Sequence, residues 1–192
     1  MSEQNKLTLT TRKQLDIFMN PQRQRLLKTM EIHGAPMTAK QLSDILKISA
    51  SSVSLHIKKL MSLGLIELDH TESIHGIQAK FYKKLPVSVS LGGDRNDDLS
   101  EERAALADYI MSDIWNRFRG VLLKSEEEKR PEITGDFASG IMHLKEEEFL
   151  ELYQKILDFA DSHMEPGEGT IPWEYALVAF PHRQESAGKE TL

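Results

Sequence analysis

The pattern of apolar and polar positions is most informative between residues 38 and 60, where it predicts two helices joined by a tight turn. Thr38 suits the N-cap of the first helix, because its hydroxyl can accept a hydrogen bond from a backbone N–H of the first turn. The apolar stripes of the two helices are formed by Leu42, Ile45 and Leu46, and by Val53, Ile57 and Leu60. The opposite face of the second helix carries serine and lysine. An ordinary helical hairpin with a solvated polar face is the alternative interpretation.

The pattern of apolar positions on either side of these two helices argues against an ordinary helical hairpin. Residues 9–19 form a short amphipathic segment, and the next helix is predicted over residues 21–33, because proline suits a first turn and Gly34 suits the position after a helix end. After Gly64, apolar residues alternate on either side of a polar loop that contains Gly76, which predicts a β-hairpin. Helices followed by such a hairpin are the element order of a winged helix-turn-helix domain.

The chain after Pro86 has a different pattern. It predicts a strand at residues 87–91, a long helix at 100–124, a strand at 138–144, a helix from residue 146 and a last strand at 174–180. We therefore predict an α+β fold in which a winged helix-turn-helix domain, residues 1–85, precedes a small β-α-β-α-β domain, residues 86–192.

Charge divides the chain at the same place. Residues 1–85 carry 13 Lys and Arg against 7 Asp and Glu, a net charge of +6, whereas residues 86–192 carry 11 against 23, a net charge of −12. Only the first part resembles a phosphate-binding surface. The acidic runs at residues 126–128 and 146–148 are most simply explained as solubilising.

Composition excludes several classes of protein and site. The sequence has no cysteine, so disulfides, thiolate metal sites and cysteine nucleophiles are excluded. We expect no membrane span and no signal peptide, hence a cytoplasmic protein. No phosphate-binding glycine loop or Ser/His/Asp motif indicates an enzyme. His143, His163 and Glu165 are the nearest metal-ligand candidates, but their spacing matches no compact motif, so neither a metal nor another cofactor is expected.

The outer face of the helix at residues 50–61 favours a reader of double-stranded DNA. A helix that enters a major groove needs short polar residues near its N-terminus, where base edges are reached, and lysines further along for phosphates. This helix places serines at positions 51, 52 and 54 and lysines at positions 58 and 59.

These segments together resemble an ArsR-type winged helix-turn-helix transcriptional regulator of the subgroup with an additional C-terminal domain. The resemblance covers roughly residues 9–85, and the motifs that carry it are Asn20-Pro21-Gln22-Arg23-Gln24-Arg25-Leu26-Leu27, Val53-Ser54-Leu55-His56-Ile57-Lys58-Lys59-Leu60, Gly64-Leu65-Ile66 and His75-Gly76-Ile77-Gln78-Ala79-Lys80-Phe81-Tyr82.

The resemblance implies a homodimer, expected to be a repressor, on a palindromic operator. The residues that it implies at the DNA are Arg23, Thr38, Ser51, Ser52, Ser54, Leu55, Lys58, Lys59, His75 and Lys80. Leu55 departs from the family pattern, in which a polar or basic residue is usual, and could meet a thymine methyl group. The wing loop also departs, because Glu72, Ser73 and His75 occupy positions where relatives often carry arginine. The family's cysteine pair for arsenic sensing is absent.

The role of the acidic half stays open between dimerisation, ligand sensing and both. Four aromatic residues could line an apolar pocket for a small-molecule effector, although plain core packing explains aromatic residues at such spacing as well. They are Trp115, Phe118, Trp173 and Tyr175. The alternative function is a winged-helix module that binds proteins without reading DNA.

Overall fold

The computed structural model describes residues 6–74, 76–91, 97–128 and 135–181, and these residues contain both helices and strands. In chain order the elements are β1 (Lys6–Thr8), α1 (Arg12–Met19), α2 (Pro21–His33), β2 (Met37–Thr38), α3 (Ala39–Leu46), α4 (Ala50–Met61), β3 (Ile66–Ile74), β4 (Ile77–Lys84), β5 (Ser88–Ser90), α5 (Ser100–Glu128) and α6 (Glu146–Asp161). The predicted α+β class is confirmed.

Local capping explains where the first helices begin and end. The Asn20 side chain accepts hydrogen bonds from the backbone N–H groups of Gln22, at 3.1 Å, and Arg23, at 3.3 Å, which satisfies two donors of the first turn of α2. Gly34 ends the helix in the left-handed region, at φ 67°. The predicted bounds of this helix, residues 21–33, are confirmed.

The predicted wing is a β-hairpin. Strands β3 and β4 pair antiparallel from Ile66 opposite Lys84 to Ile74 opposite Ile77, with an irregularity between Leu68 and His70. Strand β2 pairs with the other side of β4, so the sheet order is β2-β4-β3. The segment just before α3 therefore forms the third strand of the sheet that contains the hairpin.

One hydrophobic core holds this region together. Its buried members are Leu9, Leu15, Phe18, Leu26, Leu27, Met30, Met37, Leu42, Leu46, Val53, Ile57, Leu60, Leu65, Ile66, Leu99 and Leu106. The last two belong to the second half of the chain, so the core continues into the start of α5. The division into domains at residue 85 stays a prediction.

A pairing that the sequence pattern did not indicate fixes the start of the chain. Strands β1 and β5 run parallel, with Lys6 opposite Ser88 and Thr8 opposite Ser90. The Leu9 N–H continues the ladder by donating to the Ser90 carbonyl at 2.9 Å. Because the partner strands lie about eighty positions apart in sequence, no local pattern reports their contact.

The predictions of two C-terminal strands are wrong. Residues 138–144 and 174–180 belong to no strand, so the β-α-β-α-β order does not form among the described residues. An extended segment becomes a strand only when it shares ladder hydrogen bonds with a neighbour, and no strand of the described residues pairs with these segments. The alternating apolar residues that suggested strands are largely exposed; Ile141 is 77% exposed and Val178 is 63% exposed.

The two C-terminal helices are confirmed, but they bury little. Of four apolar residues at helical spacing in α5, Leu106 is fully buried, while Ile110, Ile114 and Phe118 are half-buried. Helix α6 buries no residue, and Phe159 is 68% exposed with its ring stacked 4.3 Å from that of His163. The acidic half thus lacks a core of its own in a single copy of the described chain.

Candidate nucleic-acid interface

Helices α3 and α4 are joined by the short turn at Lys47, Ile48 and Ser49. Thr38 caps α3 as predicted: its hydroxyl accepts from the Gln41 N–H at 3.2 Å, and the Gln41 side chain accepts from the Thr38 N–H at 2.7 Å. Lys47 ends α3 in the left-handed region, at φ 58°. This sharp reversal directs the chain into α4 within three residues.

Helix α4 has the predicted two faces. Val53 and Leu60 are fully buried and Ile57 is 1% exposed, so this stripe anchors the helix in the core. Leu55 lies on the opposite side and is 54% exposed. The predicted orientation of the helix is therefore confirmed, and its outer face is open to a partner.

Serine hydroxyls cluster at the start of α4. The Ser49 hydroxyl accepts from the Ser52 N–H at 3.1 Å and lies 2.9 Å from the Ser51 hydroxyl and 2.8 Å from the Ser52 hydroxyl. The Ser54 hydroxyl donates to the Ala50 carbonyl at 2.8 Å. The Ser51, Ser52 and Ser54 hydroxyls keep unused hydrogen-bonding capacity, since a hydroxyl has one donor and two acceptor positions, whereas the three partners of Ser49 use all of its positions.

Lysines follow the serines. Lys58 and Lys59 are exposed, and no ion pair forms at either one among the described residues. Together with Lys13 of α1 they border a shallow surface pocket of about 370 Å³. The pocket also has a carboxylate, that of Asp16, on its rim. Lys13 is a basic residue of this surface that sequence reasoning missed, because only the packing of α1 against α4 places it there.

Arg23 also borders this surface pocket, but its side chain is turned into the protein. The side chain is buried, at 6% exposure; its Nη2 donates to the Asp16 carbonyl at 2.8 Å, and its Nε donates to the Ile17 carbonyl. Gln24 donates to the Phe18 carbonyl at 2.6 Å. Two side chains at the start of α2 thus satisfy the carbonyls that α1 leaves unpaired at its end. The structure places the Arg23 guanidinium at the junction of α1 and α2, and its predicted contact with DNA stays a prediction.

His56 lies at the border between the buried and outer faces of α4. The residue is half-buried, and its Nδ1 atom is buried with no hydrogen-bond partner among the described residues. Burial lowers the pKa of His56, and the positive charges of Arg23 and Lys59 lower it further. The imidazole is therefore held in its neutral form next to the basic surface.

The wing offers less positive charge than its sequence suggests. Lys83 lies 3.2 Å from Glu67 and 3.3 Å from Asp69, and Lys84 lies 2.9 Å from Glu31. Lys80 is exposed on β4, while the predicted contact residue His75 lies outside the described residues. Lys83 and Lys84 are thus paired with carboxylates of the same chain.

Three of the four predicted effector-pocket residues line one cavity. Phe118, Trp173 and Tyr175 border a space of about 1150 Å³ between the winged region and α5. Trp115 lies behind this wall, with its ring 5.6 Å from that of Phe118 and 5.6 Å from that of Phe137. The four aromatic residues therefore do not form a closed core, and only three of them line the cavity.

The metal-ligand candidates of the sequence are spread over the second half of the chain. His163 and Glu165 border the cavity, whereas His143 does not. In the described part of the chain, no three histidine or carboxylate side chains are grouped so that they could hold a metal ion. None of the described helices is both long and apolar enough to cross a bilayer.

Sequence comparison agrees with the geometry of the first half. No curated protein matches the chain. The family model described as a helix-turn-helix domain matches residues 18–69, which run from the end of α1 into the first strand of the wing. Residues 18–69 therefore form a helix-turn-helix domain, the kind of module with which transcription regulators bind DNA.

Proposed function

We propose that this protein is a sequence-specific DNA-binding repressor that acts as a homodimer on a palindromic operator. The observation that carries the proposal is the outer face of α4, where hydroxyls near the N-terminus are followed by exposed lysines that form no ion pair with the described part of the chain. This is the order in which a helix in the major groove meets base edges and then phosphates. The chain's positive charge lies in the same region, and the proposal includes no catalytic step.

The proposed contacts differ in what they would recognise. Ser51, Ser52 and Ser54 would meet base edges, and Leu55 would meet a thymine methyl group. The phosphate contacts would be made by Lys58 and Lys59, with Lys13 of α1, Lys80 and His75 of the wing, and the capped start of α3 at Thr38. Arg23 would support this surface by holding α1 against α2.

The second half supports the dimer in the proposal. Helix α6 and the segments beside it expose several large apolar side chains, and exposed apolar patches mark interaction sites when they are contiguous. Among them are Phe137, Ile141, Met142, Leu150, Phe159 and Val178, with exposures from 56% to 77%. A second copy of the chain would cover this surface and place two α4 helices for successive half-sites.

A fluorescence-anisotropy titration against duplex DNA from upstream of the protein's own gene tests the proposal. We expect affinity to fall with salt, and each of Lys58→Ala and Lys59→Ala to reduce the slope of log affinity against log salt by about 1. Lys145→Ala, an exposed lysine at the start of α6, is the matched control. Salt-independent binding, or no response to changes at Ser51 and Lys59, would refute the proposal.

Leu55→Ala separates sequence reading from general attraction. We expect this variant to keep the wild-type salt slope and to lose preference for one base pair of each half-site, since a leucine contacts bases but not phosphates. The loss should be about 1 kcal/mol at that position, since burying one methyl or methylene group contributes about 0.8 kcal/mol. Equal loss on every DNA sequence would instead show that Leu55 serves the fold.

One observation favours the alternative of a protein-binding module. Lys83 and Lys84 of the wing are paired with carboxylates, so the wing is poorly charged for DNA. Sedimentation of the pure protein with and without duplex DNA distinguishes the two functions. A chain that never sediments with DNA, yet forms a complex of fixed stoichiometry with a purified protein partner, would have the alternative function.

The large cavity leads us to include a small-molecule effector in the proposal. Its walls come from α2 and the base of the wing on one side, and from α5 and residues 160–175 on the other. A ligand there would contact both halves at once, so its binding could change how the halves are held together.

A further inference from the structure

Apart from the α4 surface, the structure contains a cluster of ion pairs in the large cavity, where two cationic side chains hold one carboxylate. Arg117 of α5 donates from Nε at 2.8 Å and from Nη2 at 2.6 Å to the two carboxylate oxygens of Glu174. Lys28 of α2 lies 3.0 Å from the same carboxylate. The guanidinium therefore binds the carboxylate in the two-pronged geometry that gives the strongest such pairs.

The surroundings favour the charged form of this carboxylate. Burial by itself would raise the pKa of Glu174, but the hydrogen bonds from Arg117 and Lys28 outweigh it and the pKa is lowered. The hydrogen bonds to Glu174 and, to a smaller extent, to Asp113 raise the pKa of Arg117. The cavity thus contains a site built for one carboxylate, with one cation from each half of the chain.

Glu174 comes from a segment that is weakly held. Residues 171–180 belong to no helix or strand, and the side chains on either side of Glu174 are largely exposed, Trp173 at 60% and Tyr175 at 60%. Nothing in the regular structure requires the carboxylate to come from this position. A free carboxylate of similar geometry could replace it at little structural cost.

The rest of the cavity is suited to an apolar group attached to that carboxylate. Ile114, Phe118 and Val121 of α5 face the same space, as do Met30 and Pro166. Two other carboxylates near the site are already balanced: Asp113 pairs with Arg117, and Glu31 pairs with Lys84 at 2.9 Å and lies 3.8 Å from Lys28. The lining also contains the carboxylates of Asp136 and Glu165, so the preference for an acid rests on the two cations that hold Glu174.

We propose that the cavity binds an amphipathic organic acid whose carboxylate replaces that of Glu174 between Arg117 and Lys28, and whose apolar part packs against Ile114 and Phe118. The inference rests on the effector role proposed above and specifies its chemical class. Binding breaks the link between the C-terminal segment and α2, and α2 packs directly against α3 and α4. Binding of the acid thereby affects the DNA-binding half, although the acid itself does not contact α4.

Isothermal titration calorimetry with matched acids and amides tests this site. The probes are 4-phenylbutyrate and octanoate, each compared with its uncharged amide. We expect wild-type protein to bind each acid at least about tenfold more tightly than its amide, because two charge-assisted contacts depend on the negative charge. Equal affinity for acid and amide would overturn the proposal.

Three variants distinguish this site from general apolar binding. Glu174→Gln removes the internal competitor and should tighten acid binding several-fold, whereas Arg117→Gln should reduce the preference for acid over amide to less than about twofold. Arg119→Gln, an exposed arginine on the same helix, is the control and should behave as wild type. Weaker acid binding by Glu174→Gln, or an unchanged preference in Arg117→Gln, would contradict the site.

Two further outcomes are decisive. No heat from either acid up to about 5 mM, with both wild type and Glu174→Gln, would overturn the proposal, since even millimolar affinity would then be absent. Acid binding only at protein concentrations too low for self-association would show that a second copy fills the cavity, and would also overturn it. Calorimetry uses no DNA, so acid preference without DNA binding would refute only the regulator role.

Discussion

The two halves of the chain contain amphipathic helices of similar quality, yet the first half buries far more of its apolar residues than the second. In the winged region, α4 places Val53, Ile57 and Leu60 in the core, at no more than 1% exposure. Helix α6 has an equally regular pattern and an acidic first turn suited to a helix N-terminus, but none of its residues is buried. An apolar stripe predicts that a helix will pack; it does not say which chain supplies the other surface.

The largest expected effect comes from the core of the first half. Leu26→Ala removes a fully buried side chain of α2, and we expect the free energy of unfolding to fall by about 2–5 kcal/mol, from lost burial and the cavity left behind. Urea denaturation followed by circular dichroism measures the change. Ile32→Ala, on the same helix but 56% exposed, is the control and should cost less than about 1 kcal/mol. Equal losses would mean that the two positions are buried alike.

The next largest effect concerns Arg23. Arg23→Met keeps much of the side-chain volume but removes the donors to the Asp16 and Ile17 carbonyls, so we expect a loss of about 1.5–3 kcal/mol in the free energy of unfolding. Arg25→Met is the matched control, since Arg25 is exposed two positions along. If Arg23→Met instead left stability unchanged and reduced only the salt slope of DNA binding, the phosphate role implied by the sequence would be correct.

Arg23 also shows why part of the site could not be predicted from sequence. An arginine near the start of a helix in a basic region looks the same whether it faces a phosphate or the end of another helix. What decides is the position of the α1 carbonyls, which depends on how α1 and α2 pack. By contrast, the bounds of α2 and the buried stripe of α4 depend on local capping and periodicity, and they were predicted correctly.

The same distinction explains the strands. The wing was predictable because its two strands are adjacent in sequence and joined by a short turn. The pairing of β1 with β5 was missed because its partners are far apart. The segments at residues 138–144 and 174–180 have alternating apolar positions but pair with no strand of the described residues, so alternation alone was insufficient evidence.

A smaller effect should appear as a pH dependence in the first half. His56 has a lowered pKa in the folded chain, whereas in the unfolded chain it has an ordinary value of about 6.5. Between these values only the unfolded chain takes up the proton, so the free energy of unfolding should fall as pH decreases below about 6.5 and level off below the folded pKa.

Chemical denaturation of His56→Gln between pH 7.5 and pH 5 measures this contribution, with pH values bracketing the ordinary histidine pKa of about 6.5. The variant should lose part of the decrease seen in wild type. His163→Gln, an exposed histidine in the second half, is the control and should retain it. A His56→Gln profile identical to wild type would show that the fold does not disfavour the charged imidazole at this position.

The smallest expected effect on unfolding comes from α6, and it tests the comparison most directly. Leu150 is 56% exposed, so Leu150→Ala should change the free energy of unfolding of dilute, monomeric protein by less than about 0.5 kcal/mol. If a second copy covers α6, the same change should weaken self-association by about tenfold in sedimentation equilibrium, because the leucine is then buried in the dimer. Leu55→Ala is the matched control, at 54% exposure on α4, and should leave self-association unchanged. Equal effects of both variants on self-association would show that exposure alone, rather than a specific surface on α6, drives the contact between copies.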